Sequence, residues 1–245
     1  MNSKKSYFAI DTEHLNKLLL GKDNLLLKSY EYSGKIIFTE TPTCDSNTCY
    51  KYQKAIKTIK GGKASARIPK ACVNFHTHPV SCYKDGKVIW GWPSGEDLRV
   101  VLDQRCNNMC HLVFALEGTY IMNSNKNIVY GLTDKEIIYI EEMFKDTHDY
   151  RSIRNYDTAH IRFKNKFPDL KRLNTTNTLE LWLYLVNNTT ITKNNKKYNV
   201  LSVRFIPNKT FHFNSTPMEC YKKINQLNSK NIGNYIKFAE DIIVL

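Results

Sequence analysis

The sequence has no long apolar run, and this excludes two classes of protein. Its first residues, up to Tyr7, contain no hydrophobic segment of a signal peptide. No stretch reaches the roughly 18 consecutive apolar residues of a membrane-spanning helix. We therefore expect a cytoplasmic protein without a membrane partner. The many Asn and Lys residues suit an AT-rich genome, such as that of a large DNA virus, whose protein would act in the host cytoplasm.

The chain also lacks the cysteine spacing of a structural zinc site. Seven cysteines, an odd number, occur at positions 44, 49, 72, 82, 106, 110 and 220. Without a secretion signal, reduced thiols are the simplest interpretation. Cys106 and Cys110, which precede His111, come nearest to a second metal site, but their spacing is not that of a zinc finger. We expect them to pack as small hydrophobic residues.

A dense basic block is missing as well, although the net charge is +13. The basic residues are scattered along the chain. A positive balance permits binding to nucleic acid, but recognition usually requires a clustered basic stripe. A nucleic-acid-associated factor is therefore an alternative that the charge pattern does not favour.

The composition is that of a folded protein. The 245 residues are 42% hydrophobic and 12% aromatic, enough to bury a core. Helical and strand patterns are interleaved without internal repeats, which predicts an α/β (α+β) fold with a central mixed sheet flanked by helices. A polar, irregular stretch at 147–171 predicts a boundary between a domain at 1–150 and a smaller α+β extension at 151–245.

Local patterns predict the order of the elements. Helices are expected at 11–20, 94–106, 133–143 and 217–227. The Leu-rich 178–186 segment fits a helix or a strand, and its composition favours a helix. Strands are expected at 25–29, 35–39, 71–75, 111–116 and 119–122, with a hairpin formed by 198–206 and 210–213. The pattern at 50–59 fits a strand or a helix. An Asp-Gly pair within 80–93 predicts a small hairpin, because this pair suits a tight turn.

The most informative feature is a His-x-His-Pro motif at 76–79. Because side chains alternate along a strand, His76 and His78 point to one face. Pro79 ends the strand, and a carboxylate at Asp97 can complete a set of three ligands. Two histidines and one carboxylate, with water in the fourth position, are typical of a catalytic zinc site, whereas a structural site usually has four protein ligands.

Each of these residues also has a simpler interpretation. The two histidines could be exposed residues at the end of a strand. Ser94 is typical of a helix N-cap, and Asp97 three residues later would be its capping-box partner. Asp97 could serve both roles, because a carboxylate that binds metal normally accepts further hydrogen bonds.

Taken together, these segments resemble the JAMM, or MPN+, family of zinc metallopeptidases. The family signature is an upstream Glu, a His-x-His-Pro motif and a Ser-x-x-Asp motif, which correspond here to Glu31, 76–79 and 94–97. The resemblance covers about the first 150 residues. It implies a cytidine-deaminase-like MPN domain that binds one zinc ion per chain through His76, His78 and Asp97.

The resemblance also implies catalytic roles. Glu31 begins a Glu-x-x-Gly sequence 45 residues before His76, and would take a proton from the zinc-bound water and return it to the leaving amine. Glu40, near the far end of the same strand, is the alternative base. Ser94 would donate to the developing oxyanion. The expected reaction is hydrolysis of peptide or isopeptide bonds in conjugates of ubiquitin or ubiquitin-like proteins.

The segment between the two motifs departs from the family pattern. Residues 80–93 form a segment of 14 residues, about twice the usual length. We expect it at the mouth of the cleft, where Trp90 and Trp92 either hold an extended substrate strand or pack onto the core. The alternative function is a non-catalytic MPN scaffold or assembly protein that uses 151–245 for docking.

Overall fold

A mixed β-sheet forms the centre of the protein. In the computed structural model, the described residues are 5–45, 47–63, 65–104, 110–145, 175–208, 217–236, 238 and 242–245. Within them, nine strands form one sheet and two more form a separate hairpin. Helices flank the sheet, so the predicted mixed α/β architecture is confirmed at this level.

The strands are distributed along the whole described part of the chain, with helices between many of them. They are β1 (Lys5–Asp11), β2 (Tyr32–Phe38), β3 (Thr43–Cys44), β4 (Thr48–Lys60), β5 (Val73–Thr77), β6 (Cys110–Phe114), β7 (Gly118–Ser124), β8 (Thr190–Lys193), β9 (Lys196–Asn199), β10 (Leu201–Pro207) and β11 (Ile242–Val244). The order across the main sheet is β10-β7-β6-β5-β2-β4-β1-β11, with β3 paired to β4. The β5–β6 and β1–β4 pairs are parallel, and the others are antiparallel.

The described helices are 4 to 13 residues long. They are α1 (Thr12–Leu20), α2 (Val80–Gly86), α3 (Gly95–Asp103), α4 (Lys126–Val129), α5 (Asp134–Lys145), α6 (Thr175–Asn187), α7 (Pro217–Gln226) and α8 (Ile232–Tyr235), with a 3₁₀ turn at Leu25–Leu27. Side-chain hydrogen bonds cap the N-termini of several helices. Asp11 accepts a hydrogen bond from the Glu13 amide at α1, and Thr133 forms a capping box with Glu136 at α5.

The core includes three stacked indoles. Trp90, Trp92 and Trp182 are fully buried. The ring centroids of Trp90 and Trp92 lie 6.1 Å apart, and those of Trp92 and Trp182 lie 5.2 Å apart. Trp90 and Trp92 therefore pack into the core and are not exposed aromatic residues that could hold a substrate strand. Trp182 on α6 joins the C-terminal part of the chain to this core.

The hairpin predicted within 80–93 is wrong. The segment instead begins with helix α2, which ends where Lys87 adopts a left-handed conformation with φ 50°. Val80 and Tyr83, three residues apart, are both buried on one face of this helix. The Tyr83 hydroxyl also hydrogen-bonds Glu117. These tertiary contacts outweigh the local turn preference of Asp85-Gly86.

Three other local predictions need correction or fall outside the described residues. The strand predicted at 25–29 is wrong, because Leu25 and Leu26 enter the core from a 3₁₀ turn. The ambiguous 50–59 segment is part of β4. The predicted 198–206 strand is divided between β9 and β10, and β10 pairs with β7. Its predicted partner, 210–213, lies outside the described residues.

The main sheet draws strands from both sides of residue 150. β10 lies beside β7 at one end of the sheet, and β11 lies beside β1 at the other. The predicted boundary near residue 150 itself lies outside the described residues. The 151–245 segment thus contributes to the sheet that carries the histidine motif.

A disulfide joins Cys44 and Cys49 across the β3–β4 hairpin. The strand register places the two residues opposite each other, with their Cα atoms 4.0 Å apart. The prediction of reduced thiols is therefore wrong for this pair. Cys72, Cys82, Cys110 and Cys220 are not disulfide-bonded among the described residues, and Cys106 lies outside them.

Within the described part of the chain, no helix has the length and apolar character needed to cross a membrane.

Candidate metal centre

Strand β5 delivers two histidines to one side of the sheet. It runs between β2 and β6, and all five of its residues are buried. His76 lies near its end, where it pairs with Ser33 of β2 and Val113 of β6. His78 follows the strand, and Pro79 is the N-cap of α2. The Nε2 atoms of the two imidazoles face each other at 3.0 Å.

Helix α3 brings a carboxylate to the same point. Ser94 Oγ accepts a hydrogen bond from the Asp97 amide at 3.0 Å, and Asp97 Oδ2 accepts one from the Ser94 amide at 2.6 Å. This capping box fixes the first turn of α3. Asp97 Oδ1 lies 3.2 Å from His76 Nε2, and Oδ2 lies 3.6 Å from His78 Nε2. Asp97 therefore caps the helix and faces both histidines.

These three side chains could hold a metal ion. One donor atom from each of His76, His78 and Asp97 lies within 4.8 Å of the others. Two imidazoles and one carboxylate are compatible with zinc and leave a coordination position for water. Cys106, one member of the alternative second site, lies outside the described residues, so that alternative is not tested by the donor group found among them.

The backbone fixes the orientation of His78. Its Nδ1 atom lies 2.6 Å from the carbonyl oxygen of Gly91. A carbonyl can only accept a hydrogen bond, so Nδ1 carries the proton and donates it. The Nε2 lone pair then points towards His76 and Asp97, as a metal ligand requires.

Asp97 and His78 shift each other's pKa values. Burial disfavours the Asp97 carboxylate, but His76 and His78 outweigh burial and hold its pKa well below the ordinary value. Burial likewise disfavours protonated His78, yet Asp97, assisted by Glu31, raises the pKa of this histidine. Both directions have one cause, which is the attraction between the Asp97 carboxylate and protonated imidazole.

Glu31 lies in the same cleft. Its side chain is only 8% exposed, and its Oε1 atom accepts a hydrogen bond from the Cys82 thiol at 3.6 Å. The Glu31 backbone bonds Gly61 and Gly62, each at 2.9 Å, just before β2 begins. Glu40, by contrast, is exposed beyond the far end of β2 and does not line the cleft.

The cleft has a volume of about 590 Å³. Glu31, His76, His78, Ser94 and Asp97 all line it. One wall comes from the 80–93 segment through Cys82, Tyr83, Asp85, Gly86, Val88, Trp90 and Gly91. The segment therefore lies at the cleft, where it was predicted, although its conformation differs from the prediction.

Two buried polar residues that were not predicted to belong to this site support it. His111 Nε2 lies 2.8 Å from His76 Nδ1. Glu117 is fully buried and accepts hydrogen bonds from Tyr83 at 2.5 Å, from Tyr120 at 2.6 Å and from the Gly91 amide at 2.8 Å. Burial raises the pKa of Glu117. The feature of the sequence that could have identified them is a charged or titratable side chain in the largely apolar segment that forms the β6–β7 hairpin.

Comparison with known proteins finds a partial viral relative. The chain is 38% identical over 80 residues to "Uncharacterized protein 3R" of Frog virus 3 (isolate Goorha). The aligned part is 31% of this chain and 18% of the relative. No family model and no solved structure matches the chain. These comparisons therefore assign no chemistry to the centre.

Proposed function

We propose that the protein is a zinc-dependent metallopeptidase of the JAMM type, with an MPN fold, that hydrolyses peptide or isopeptide bonds. The observation that carries this proposal is the convergence of His76, His78 and Asp97 in a cleft that also contains a buried glutamate, Glu31. A site that only stabilises the fold would usually have a fourth protein ligand and no adjacent free carboxylate. The protein substrates proposed by resemblance are conjugates of ubiquitin or ubiquitin-like proteins.

A different part of the structure holds each of the three ligands in place, which favours a rigid site. Strand β5 positions His76, the Gly91 carbonyl orients His78, and the α3 capping box holds Asp97. Zinc bound by them would supply a Lewis acid and a water whose pKa falls from about 15.7 to about 7. The remaining chemistry is the work of the chain's own side chains.

Glu31 is the proposed general base. Its carboxylate would accept the proton of the attacking water and return that proton to the leaving amine. Gly61 and Gly62 hold its backbone, and the Cys82 thiol hydrogen-bonds its carboxylate at the cleft. The exposed position of Glu40 makes it a poor candidate for this role.

Ser94 is the proposed donor to the oxyanion. Its oxygen already accepts the Asp97 amide in the capping box, which leaves the hydroxyl proton for a substrate oxygen. Donors that are held in place before the reaction stabilise the tetrahedral intermediate without reorganisation. Capping and catalysis are therefore compatible at this residue.

Zinc content is the test of the proposed function. We expect about one zinc per chain in the purified or reconstituted protein, lost in His76→Ala because one of three ligands is removed. Chelation should abolish cleavage of isopeptide-linked di-ubiquitin or a ubiquitin-like conjugate panel, and added zinc should restore it. Metal analysis and gel-based cleavage measure both. A wild-type protein that takes up no zinc would contradict the enzyme and favour the scaffold.

Ser94→Ala separates catalysis from capping. We expect the hydrolysis rate to fall by about 10²–10³-fold, the usual effect of removing one oxyanion donor, and stability to fall by about 1 kcal/mol from the lost cap. Thr133→Ala is the matched control, because it removes the equivalent cap of α5. If both variants lose the same stability but only Ser94→Ala loses hydrolysis rate, the donor role of Ser94 is supported. Equal rates in both variants would make Ser94 a cap alone.

A further inference from the structure

A chain of buried side chains extends behind His76, away from the cleft. His76, His111 and Asn74 are at most 1% exposed. His76 Nδ1 lies 2.8 Å from His111 Nε2, and His111 Nδ1 lies 2.5 Å from Asn74 Oδ1. The parallel pairing of β5 and β6 creates this contact, because it places Asn74 beside His111 in register. Neither Asn74 nor His111 lines the cleft.

The far end of this chain determines the direction of its hydrogen bonds. Asn74 Nδ2 lies 2.8 Å from the carbonyl oxygen of Pro69 and 2.8 Å from Gln104 Oε1. The Pro69 carbonyl can only accept, so the amide nitrogen of Asn74 must face it. Gln104 Nε2 donates in turn to the Ile68 carbonyl, which leaves Oε1 as the acceptor. Asn74 Oδ1 is therefore the atom that faces His111, and it can only accept.

The acceptor role of Asn74 Oδ1 also determines which hydrogen bond His76 makes. His111 Nδ1 must carry a proton to donate to Asn74 Oδ1. In a fully buried ring with one proton, His111 Nε2 is then the acceptor, and His76 Nδ1 must be the donor. We infer that His111 and Asn74 are positioning residues that fix His76 as the Nδ1–H tautomer, so that its Nε2 lone pair faces the metal site. This inference rests on the zinc centre proposed above.

The tautomer matters because His76 could otherwise form a hydrogen bond within the site that blocks metal binding. His76 Nε2 lies 3.0 Å from His78 Nε2 and 3.2 Å from Asp97 Oδ1. With a proton on Nε2, His76 would donate to one of these acceptors and occupy the space that a metal needs. The interaction with His111 disfavours the neutral tautomer that has its proton on Nε2, because His76 Nδ1 and His111 Nε2 would then be two facing acceptors. In the neutral Nδ1–H tautomer the facing acceptors are instead the Nε2 atoms of His76 and His78, an arrangement that a cation bound by both would stabilise. The chain thus keeps both imidazole lone pairs available.

The test uses His111→Leu, which removes the acceptor for His76. We expect zinc affinity, measured by competition with a chromogenic chelator, to fall about 10–100-fold, the usual cost of losing a group that supports a ligand. In the metal-free variant, long-range ¹H–¹⁵N correlation should show that His76 no longer holds a single Nδ1–H tautomer. His111→Gln, whose carbonyl oxygen can still accept, should restore most of the affinity.

Two further variants separate positioning from general destabilisation. Leu112→Ala alters an equally buried neighbour on β6 that faces the other side of the sheet, and it should leave the His76 tautomer unchanged. Asn74→Leu removes the acceptor that orients His111, so it should shift the tautomer in the same direction as His111→Leu. It also provides a second readout if His111→Leu does not fold. An unchanged His76 tautomer and unchanged zinc affinity in the folded variant would overturn the inference.

The two proposals fail in different ways. If the wild-type protein binds no zinc, the metallopeptidase proposal fails, but the tautomer of His76 in the metal-free protein still decides the role of His111 and Asn74. If the wild type binds zinc and the His111 variants bind it equally well with an unchanged tautomer, only the positioning role is overturned.

Discussion

Glu31→Gln is expected to reduce peptide-bond hydrolysis by roughly 10²–10⁴-fold, the range for loss of a general acid–base group. The amide has nearly the same shape as the carboxylate but cannot take a proton from water. Because Glu31 faces the cleft and is not part of the three-donor group, bound zinc should remain near one per chain. The measurement combines kcat/KM on a ubiquitin-like conjugate with zinc analysis of the same sample.

Glu40→Gln is the matched control for this substitution. It makes the same change of charge and shape at the other end of β2, where the side chain is exposed and outside the cleft. We expect activity close to that of the wild type. A rate loss in Glu40→Gln with full activity in Glu31→Gln would make the assignment of the base wrong. Loss of zinc from Glu31→Gln would instead indicate that Glu31 holds the metal.

The parts of the site that local sequence encodes could be predicted. The alternation of a buried strand places His76 and His78 on one face, and Ser94 with Asp97 forms the capping box that its spacing predicts. Both features depend on residues at most three positions apart. The assignment of Glu31 depended on resemblance, because no local rule connects a residue 45 positions upstream to the histidines.

The parts that depend on distant partners could not be predicted. The Asp85-Gly86 pair suggested a turn, but Tyr83 reaches Glu117 across 34 residues and the segment becomes a helix. The contact of His111 with His76 requires the parallel register of β5 and β6, which no pattern within either strand specifies. Local patterns likewise cannot reveal that β10 joins β7.

These long-range contacts converge on the two histidines from opposite directions. Glu117 binds the Gly91 amide, and the Gly91 carbonyl orients His78. His111, on β6 of the hairpin whose connection carries Glu117, contacts His76. Since the hairpin lies beside β5 and also carries β10 on its other edge, the hairpin links the C-terminal segment to the orientation of both imidazoles.

Asp97→Asn should separate the two roles of this residue. The asparagine oxygen can still accept the Ser94 amide, so the cap of α3 is expected to survive. The charge that attracts a metal is lost, and zinc affinity should fall by more than the 10–100-fold typical of a residue that only supports a ligand. At zinc concentrations about 100 times the wild-type Kd, binding stabilises the wild type by about 2.7 kcal/mol. Thermal unfolding with and without zinc measures whether this stabilisation disappears.

Asp103→Asn is the control on the same helix. Asp103 is half-exposed and pairs with Arg99 at 3.2 Å, away from the histidines. Asp103→Asn removes the same charge from α3 as Asp97→Asn does, so a general effect of helix charge would appear in both variants. We expect zinc to stabilise Asp103→Asn as it does the wild type. If zinc stabilises Asp97→Asn equally well, then the contacts of Asp97 with His76 and His78 serve only the metal-free protein, and the metal, if bound, requires a different third ligand.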